Sequence, residues 1–158
     1  MVTTRNAIVE DVPAILEMLS DSASDQGFEG EVGVTAGDLI RDGFGDNPRF
    51  FCAIAESDGQ IAGMALYFFI YSTWGSNTVL YLEDLYVRQR ARKQGVARSL
   101  VTYLAQLATD KGCRRIQWLV HSENLPAIRF YEAIGARSLT DWSLMQLKDE
   151  AIERIVIS

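Results

Sequence analysis

The chain has 158 residues, 48% of them hydrophobic, and a formal net charge of −6. This length and hydrophobic share exclude a disordered chain and suit one domain, so we predict a single domain spanning residues 1–158. The acidic balance argues against nucleic-acid binding, which requires a basic face.

The first third of the chain predicts one short strand and two helices. Residues 3–7 can form a strand, and residues 9–24 have the periodicity of a helix with Pro13 in its first turn. A second, shorter helix is predicted over residues 35–44, with Thr35 as its N-cap.

Strands dominate the middle of the sequence. Two apolar runs, residues 49–57 and 60–72, flank Asp58-Gly59, which is a strong hairpin signal. Residues 78–87 form a further run rich in β-branched and aromatic residues, which favours another strand.

Strand and helix patterns alternate in the remainder. We predict a helix over residues 95–112, a strand over 114–122, a helix over 124–135 and a last strand over 142–147. Early strands followed by strand–helix units predict an α/β (α+β) protein in which helices cover a mixed sheet.

The two cysteines, Cys52 and Cys113, are too few for a disulfide framework. We interpret them as free thiols in a reducing compartment. The N-terminal residues have no apolar segment of the signal-peptide type, and the longest apolar run is far shorter than a bilayer span. We therefore expect a cytoplasmic protein without membrane association.

Positive charge collects around Gly95, in the turn between the predicted strand 78–87 and the predicted helix 95–112. A glycine there lets the backbone approach a ligand closely, and the first N–H groups of a helix form an anion site suited to phosphate. Taken alone, such a basic turn is more often a plain turn. It is neither a Walker A loop nor a Rossmann fingerprint.

This loop resembles the [QR]-x-x-G-x-[GA] pyrophosphate loop of the GNAT superfamily of acyl-CoA-dependent N-acetyltransferases, with Arg92, Gly95 and Ala97 in the motif positions. Four further segments resemble, in the same order, the diamine (spermidine/spermine) and thialysine acetyltransferase subgroup. They are DLIRDGFGDNP, YFFIYSTWGSNTVLYLEDLYV, DKGC and SENLPAIRFYEAIGA. The resemblance covers most of the chain.

The resemblance implies the GNAT fold, a central mixed, mostly antiparallel twisted sheet of about six to seven strands with helices on both faces. It also implies acetyl-CoA as co-substrate, a small-molecule amine as acceptor, and a homodimer; no metal is expected. In these enzymes a bulge splays the strand before the loop. The implied cofactor-binding residues are Leu85, Tyr86, Val87, Arg92, Lys93, Gln94, Gly95, Val96, Ala97, Arg98, Asn124 and Ala127.

Two residues are expected to carry the chemistry. Glu83 could hold an ammonium group and accept its proton, directly or through water, since an amine attacks only when neutral. Tyr131 matches the family's general acid, which would protonate the leaving thiolate. The alternative for Tyr131 is a core aromatic residue beside Phe130.

Asp84 follows Glu83 directly, and because side chains alternate along a strand we expect only one of the two to face a given pocket. We interpret Asp84 as having a structural or a secondary, substrate-binding role. His121, the sole histidine, is interpreted as a rim residue, and no His/Cys cluster predicts a metal site. The candidate substrate-binding residues are Glu83, Asp84, Trp74, Asp25, Gln117, Trp118, Leu119 and Asp141.

Several cation-binding positions of the subgroup differ in this chain. Ser72 stands where the subgroup usually has an aspartate, the loop with Asp25, Glu29 and Glu31 is arranged differently, and Asp141 replaces a longer acidic loop. These changes favour a shorter amine, a lysine analogue or another amino-bearing metabolite over spermidine. A peptide acetyltransferase and a non-catalytic acyl-CoA-binding module are the alternatives.

Overall fold

The computed structural model of the protein describes residues 1–28, 30, 32–74 and 77–157. Glu29 and Glu31 of the acidic loop lie outside these described residues. The chain divides into two units, Met1–Leu119 and Val120–Ser158. The number of domains remains a prediction.

The first unit is built on a sheet of five strands. They are β1 (Val2–Asn6), β2 (Phe51–Ser57), β3 (Gln60–Ser72), β4 (Asn77–Val87) and β5 (Ile116–Gln117), and they lie side by side in chain order. All neighbours pair antiparallel except β4 and β5, which are parallel. A mixed, mostly antiparallel sheet is therefore confirmed.

The expected count of six to seven strands was too high for the described part of the chain. The strand predicted over residues 114–122 is reduced to β5, and residues 142–147 form no strand. Leu144 and Met145 are 73% and 86% exposed, so their apolar character does not reflect burial within this chain. Alternating hydrophobicity marks a strand only where a neighbouring strand completes its hydrogen bonds.

The hairpin between β2 and β3 turns at the predicted dipeptide. Asp58 and Gly59 have φ angles of 52° and 75°, and two successive positive values are typical of a type I′ turn. This turn matches the right-handed twist of the two strands, which explains why Asp-Gly predicted it correctly.

Three helices cover the sheet of the first unit. They are α1 (Val12–Asp25), which follows a 3₁₀ turn, α2 (Ala36–Gly43) and α3 (Val96–Asp110). Thr35 caps α2 as predicted: Asp38 N–H donates to Thr35 Oγ1 at 3.2 Å, and Thr35 N–H donates to Asp38 Oδ2 at 3.0 Å.

The core of this unit has two sides. The α1 side contains Ile15, Met18 and Leu39 from the helices and Cys52 and Ile54 from β2. The α3 side contains β2 and β4 residues packed against Val96, Leu100, Leu104 and Ala108 of α3. Helices on both faces are therefore confirmed, because successive β2 residues alternate between two apolar layers.

The second unit contains α4 (Leu125–Ala133) and α5 (Glu150–Ile157). Asn124 begins α4, with Pro126 in its first turn, and Gly135 follows its end with a φ of 96°. Among the described residues, no helix combines the length and the apolar character needed to cross a bilayer.

Candidate active site

A bulge interrupts β4 at Glu83. Leu82 pairs with Tyr67 of β3 and Asp84 pairs with Leu66, so Glu83 has no partner across the ladder. An extra residue of this kind bends the strand and re-aims its side chains. The bulge that the family resemblance implied is therefore present, and it falls on the predicted base.

The bulge changes which way the two acids point. Leu82 before it and Leu85 after it both pack against the α3-side core, whereas Tyr86 belongs to the α1-side core. Side chains alternate along each regular stretch, so the inserted residue shifts the phase by one. Glu83 and Asp84 then lie on the same, α1-side face. The expectation that only one of them could face a given pocket is wrong for this reason.

The two carboxylates sit in different environments. Glu83 is exposed and Asp84 is half-buried. Burial first, and then the charge of Glu83, raises the pKa of Asp84 to about 6, from an ordinary value near ~4. A carboxylate with such a pKa is ionised at neutral pH and still binds a proton well, as a general base requires.

The loop after β4 presents its backbone to solvent. Lys93 and Gly95 adopt left-handed conformations, with φ angles of 62° and 84°. Within the described chain, the N–H groups of residues 93 to 98 donate to no acceptor, and the first bond into this region comes from Ser99 to the Gly95 carbonyl. A Cβ added at Gly95 would meet nothing within 4 Å.

This loop fits a diphosphate. The left-handed residues direct successive N–H groups outwards, and the positive end of the α3 dipole adds to their attraction for an anion. The open space in front of Gly95 leaves room for the phosphate oxygens. The residues predicted to bind the cofactor pyrophosphate thus have the geometry that such a group needs.

The side chain of Arg92 is held next to this loop. Its guanidinium forms an ion pair with Asp25 at the end of α1, and its Nε donates to the Val87 carbonyl at 3.1 Å. Asp25 also accepts from Gln89 Nε2 at 3.0 Å. Its partner Arg92 lowers the pKa of Asp25 below the ordinary aspartate range. A predicted substrate residue and a predicted cofactor residue therefore belong to one cluster.

The ion pair between Arg92 and Asp25 could not be found from the sequence. The two residues are separated by 67 positions, and neither is part of a motif that names the other. Only the packing of α1 against β4 brings them together.

One edge of β4 is open beyond its middle. Strand β5 pairs with β4 at Leu80 and Tyr81 only. In the described part of the chain, no strand lies on that side of Leu85, Tyr86 and Val87. These three residues, predicted to bind the pantetheine arm, therefore have one backbone edge that is not used by the sheet.

The other predicted substrate residues of the first unit lie on two segments. Trp74 is exposed in the turn after β3. Gln117 is the last residue of β5, Trp118 packs against the α3-side core, and Leu119 is exposed. Their roles stay predictions.

In the second unit, Tyr131 is half-buried on α4, and burial raises the pKa of its phenol. Asn124 caps the same helix by accepting the Ala127 N–H at 3.3 Å. Asp141 is exposed, and His121 Nδ1 accepts the Glu123 N–H at 3.3 Å. The roles predicted for Tyr131, Asn124, Ala127 and Asp141 likewise stay predictions.

Within the described residues, no group of three or more His, Cys, Asp or Glu side chains is arranged to hold a metal ion. Both cysteines are free thiols, with Cys52 buried. Burial raises the pKa of the Cys52 thiol to about 12, so it is not a reactive thiolate at neutral pH.

The sheet, the bulge and the loop with free N–H groups are the features expected of an acyl-CoA-dependent transferase. Comparison with known proteins assigns the chain to that class. The family model described as Acetyltransferase (GNAT) family matches residues 13–136. The chain belongs to this family and is an N-acetyltransferase, and the family uses acetyl-CoA as co-substrate.

Individual relatives agree with this assignment. The thialysine N-epsilon-acetyltransferase of Sus scrofa is 34% identical over 165 residues, covering 98% of this chain and 96% of that protein. The spermidine/spermine N(1)-acetyltransferase-like protein 1 of Homo sapiens is 35% identical over 158 residues, covering 94% of this chain and 23% of that protein. The predicted likeness to these two groups is confirmed.

A solved structure shows the same fold. The crystal structure of a possible acetyltransferase from Clostridium difficile 630 has a TM-score of 0.81 at 17% identity, covering 94% of this chain and 98% of that one.

Proposed function

We propose that the protein transfers the acetyl group of acetyl-CoA to a primary amine of a small molecule, by direct attack within a ternary complex. The observation that carries this proposal is the β4 bulge, which places Glu83 and Asp84 on one face of the strand. A pair of carboxylates can both attract an ammonium group and take up its proton.

Acetyl-CoA, when bound, supplies an acyl group activated as a thioester. Its diphosphate would be held by the N–H groups of residues 93 to 98, with Arg92 adding charge. The pantetheine arm would lie along Leu85, Tyr86 and Val87, and Asn124 and Ala127 would contribute a second contact. The free backbone edge of β4 and the free N–H groups of the loop support this arrangement.

Glu83 and Asp84 would have different roles toward the amine. Glu83, being exposed, would receive the ammonium group, and the pair would take its proton, with Asp84 ionised at neutral pH. The neutral nitrogen then forms a bond to the thioester carbonyl carbon, and the carbon–sulfur bond breaks. N–H groups of β4 would stabilise the oxyanion formed in between.

Tyr131 would protonate the departing thiolate. Because burial raises the pKa of its phenol, this group keeps its proton at neutral and mildly alkaline pH, as an acid catalyst must. The nitrogen loses a second proton as the tetrahedral adduct collapses to the amide, so an ammonium substrate gives up two protons in all. One equivalent goes to the sulfur through Tyr131, and the other is released from the carboxylate pair to solvent.

The experiment that tests this function measures thiol release from acetyl-CoA with a panel of small amines. In Tyr131→Phe we expect kcat to fall about 10²-fold or more, because the acid is lost, while the Kd for coenzyme A stays unchanged. Tyr71→Phe, at an exposed tyrosine of β3, is the matched control and should retain full turnover.

Two results would contradict the proposal. Coenzyme A binding without turnover of any amine or peptide would indicate a non-catalytic acyl-CoA-binding module. Turnover of peptides alone would indicate a peptide acetyltransferase.

We further propose a homodimer in the cytoplasm. Exposed apolar side chains follow α4 in the second unit, and covering such a stretch is favourable. They are Leu139, Trp142, Leu144, Met145 and Leu147. Light scattering after size exclusion should give the mass of two chains, and Leu144→Ser with Met145→Ser should shift it towards one. A wild-type monomer at micromolar concentration would refute the dimer.

A further inference from the structure

An aromatic pair lies on the same face of the sheet as the two acids of the bulge. Phe68 of β3 is paired directly with Tyr81 of β4 shortly before the bulge, and Leu66 is paired with Asp84 just beyond it. Tyr81 is two residues before Glu83, so the alternation of side chains places its ring on the α1-side face. The proposed function as stated above gives this pair no role.

The rings of Phe68 and Tyr81 are stacked. Their centroids are 5.0 Å apart and their planes make an angle of 21°, which is the near-parallel arrangement of stacked aromatic side chains. Both residues are half-buried. In the described part of the chain, neither ring belongs to either side of the core or packs against it. Packing of the core therefore does not explain why two aromatic side chains stand at this place.

The carboxylate of Glu83 is close to this pair. Two residues of a strand span about 7 Å, so the side chains of Tyr81 and Glu83 can meet above the sheet. Burial first, and then the charge of Glu83, raises the pKa of the Tyr81 phenol. The phenol is therefore uncharged at neutral pH, and its ring keeps an electron-rich face next to a carboxylate.

Glu83 is available to a cationic ligand. In the described part of the chain it forms no ion pair with a basic side chain. An aromatic face attracts a cation that lies within about 6 Å of the ring centroid, and an ammonium group held by Glu83 falls in this range of the Tyr81 ring. The carboxylate and the ring face would then contact the ammonium group from two sides, and methylene groups next to it could lie on the ring.

We propose that Tyr81 is a substrate-binding residue, whose ring face binds the ammonium group and the adjacent methylene groups of the amine that Glu83 receives. Phe68 is the positioning residue that holds this ring by stacking on it. The inference rests on the proposed function and names the groups that recognise the cation. The nitrogen is cationic when it binds and again in the tetrahedral adduct, so the ring stabilises both states and acts on KM rather than on kcat.

Steady-state thiol release with cadaverine as the amine tests the role of the ring. Tyr81→Leu keeps an apolar side chain but removes the aromatic face, so the KM for cadaverine should rise about tenfold, with kcat and the Kd for coenzyme A within about twofold of wild type. Tyr81→Phe restores the aromatic face and should bring KM back to within about threefold of wild type. Tyr71→Leu, at an exposed tyrosine of β3, is the matched control and should change none of these values.

Phe68→Leu tests the supporting ring and is the second variant to measure should Tyr81→Leu fail to fold. In this variant Tyr81 keeps its aromatic face but loses the stack that orients it, so the KM for cadaverine should rise about threefold. Phe68→Tyr preserves the stack and should restore the KM. A KM for Phe68→Leu equal to that of wild type would show that the stack does not position the ring.

Other outcomes overturn the inference and are separable from failure of the proposed function. A KM for Tyr81→Leu within about twofold of wild type would remove the ring from the site while acetyl transfer stands. Equal losses in Tyr81→Phe and Tyr81→Leu would assign the effect to the hydroxyl group instead of the ring. If cadaverine is not acetylated, calorimetry decides: cadaverine binding that weakens in Tyr81→Leu and returns in Tyr81→Phe supports the ring without the reaction, and unchanged or absent binding refutes it. The proposed function itself fails only if no small amine of the panel is acetylated.

Discussion

The bulge in β4 and the loop that follows this strand contribute to the proposed chemistry through different parts of the chain. At the bulge, the side chains of Glu83 and Asp84 would bind the amine and accept its proton. They carry the negative charges of β4 and differ from each other in burial. In the loop of residues 93 to 98, the backbone would bind the diphosphate, because its N–H groups have no acceptor among the described residues. This property does not depend on which side chains the loop residues have.

The difference predicts how each stretch responds to mutation. At the bulge, replacing a carboxylate oxygen by an amide nitrogen should abolish the proposed proton transfer and leave the fold intact. The loop should tolerate such changes and respond instead to changes in backbone conformation. The following four predictions test this contrast.

The largest effect is expected at the bulge. Asp84→Asn removes a proton acceptor at nearly constant volume, so kcat/KM for the amine should fall about 10²- to 10³-fold while the Kd for coenzyme A stays unchanged. Steady-state thiol release and calorimetry measure the two quantities. Asp46→Asn, at an exposed aspartate between α2 and β2, is the control. Activity within twofold of wild type would remove Asp84 from the mechanism.

The same substitution should change the pH dependence of stability. Between the ordinary pKa near ~4 and the folded value of about 6, the folded chain keeps a proton on Asp84 that the unfolded chain has lost. This contribution to stability is fully present below about pH 4 and is lost as the pH rises through 6.

Asp84→Asn has no such proton to lose. Relative to wild type, its free energy of unfolding should therefore increase between pH 4 and pH 7, by about 1 to 3 kcal/mol. Urea denaturation across this range provides the measurement. Parallel curves for the two proteins would show that the pKa of Asp84 is not raised.

A smaller effect is expected from the loop backbone. Gly95→Ala places a side chain on a residue with a φ of 84°, which disfavours the conformation that directs the N–H groups outwards. We expect the Kd for coenzyme A to rise about tenfold. Gly59→Ala is a matched control, since it introduces similar strain at a φ of 75° in the β2–β3 turn. Equal Kd values in the two variants would refute a backbone site at Gly95.

The smallest effect is expected at Lys93, the non-glycine residue of the loop with a positive φ, 62°. Lys93→Gly removes a charge and also relieves backbone strain of about 1 kcal/mol. The thermal midpoint should rise slightly, and the Kd for coenzyme A should change by less than about threefold. A loss of tenfold or more would mean that the side chain, rather than the backbone, holds the phosphate.

Local signals in the sequence predicted the local structure well. The Asp58-Gly59 turn, the Thr35 cap and the amphipathic α3 all depend on residues close in the chain, and all were found as predicted. The segment of residues 142–147 was predicted wrongly as a strand, because an apolar pattern does not reveal whether a partner strand is present.

The sequence supplied candidate residues for the site, whose roles stay predictions, but it did not supply their geometry. A motif located Glu83, Asp84 and the Gly95 loop, yet strict alternation along a strand gave the wrong relation between the two acids. The bulge that reverses it depends on the register between β3 and β4, which is set by the whole sheet. The cluster of Arg92 and Asp25 depends on tertiary packing in the same way.

The bulge contains one residue that the pairing of β4 with β3 does not need. If Glu83 were deleted, Leu82, Asp84, Leu85 and Tyr86 would follow one another in unbroken alternation, each keeping the face that it has now. Glu83 has no partner in β3 and belongs to neither apolar layer. Glu83 is thus a structurally redundant residue, and its retention adds to β4 a second negative charge that an uninterrupted ladder has no place for.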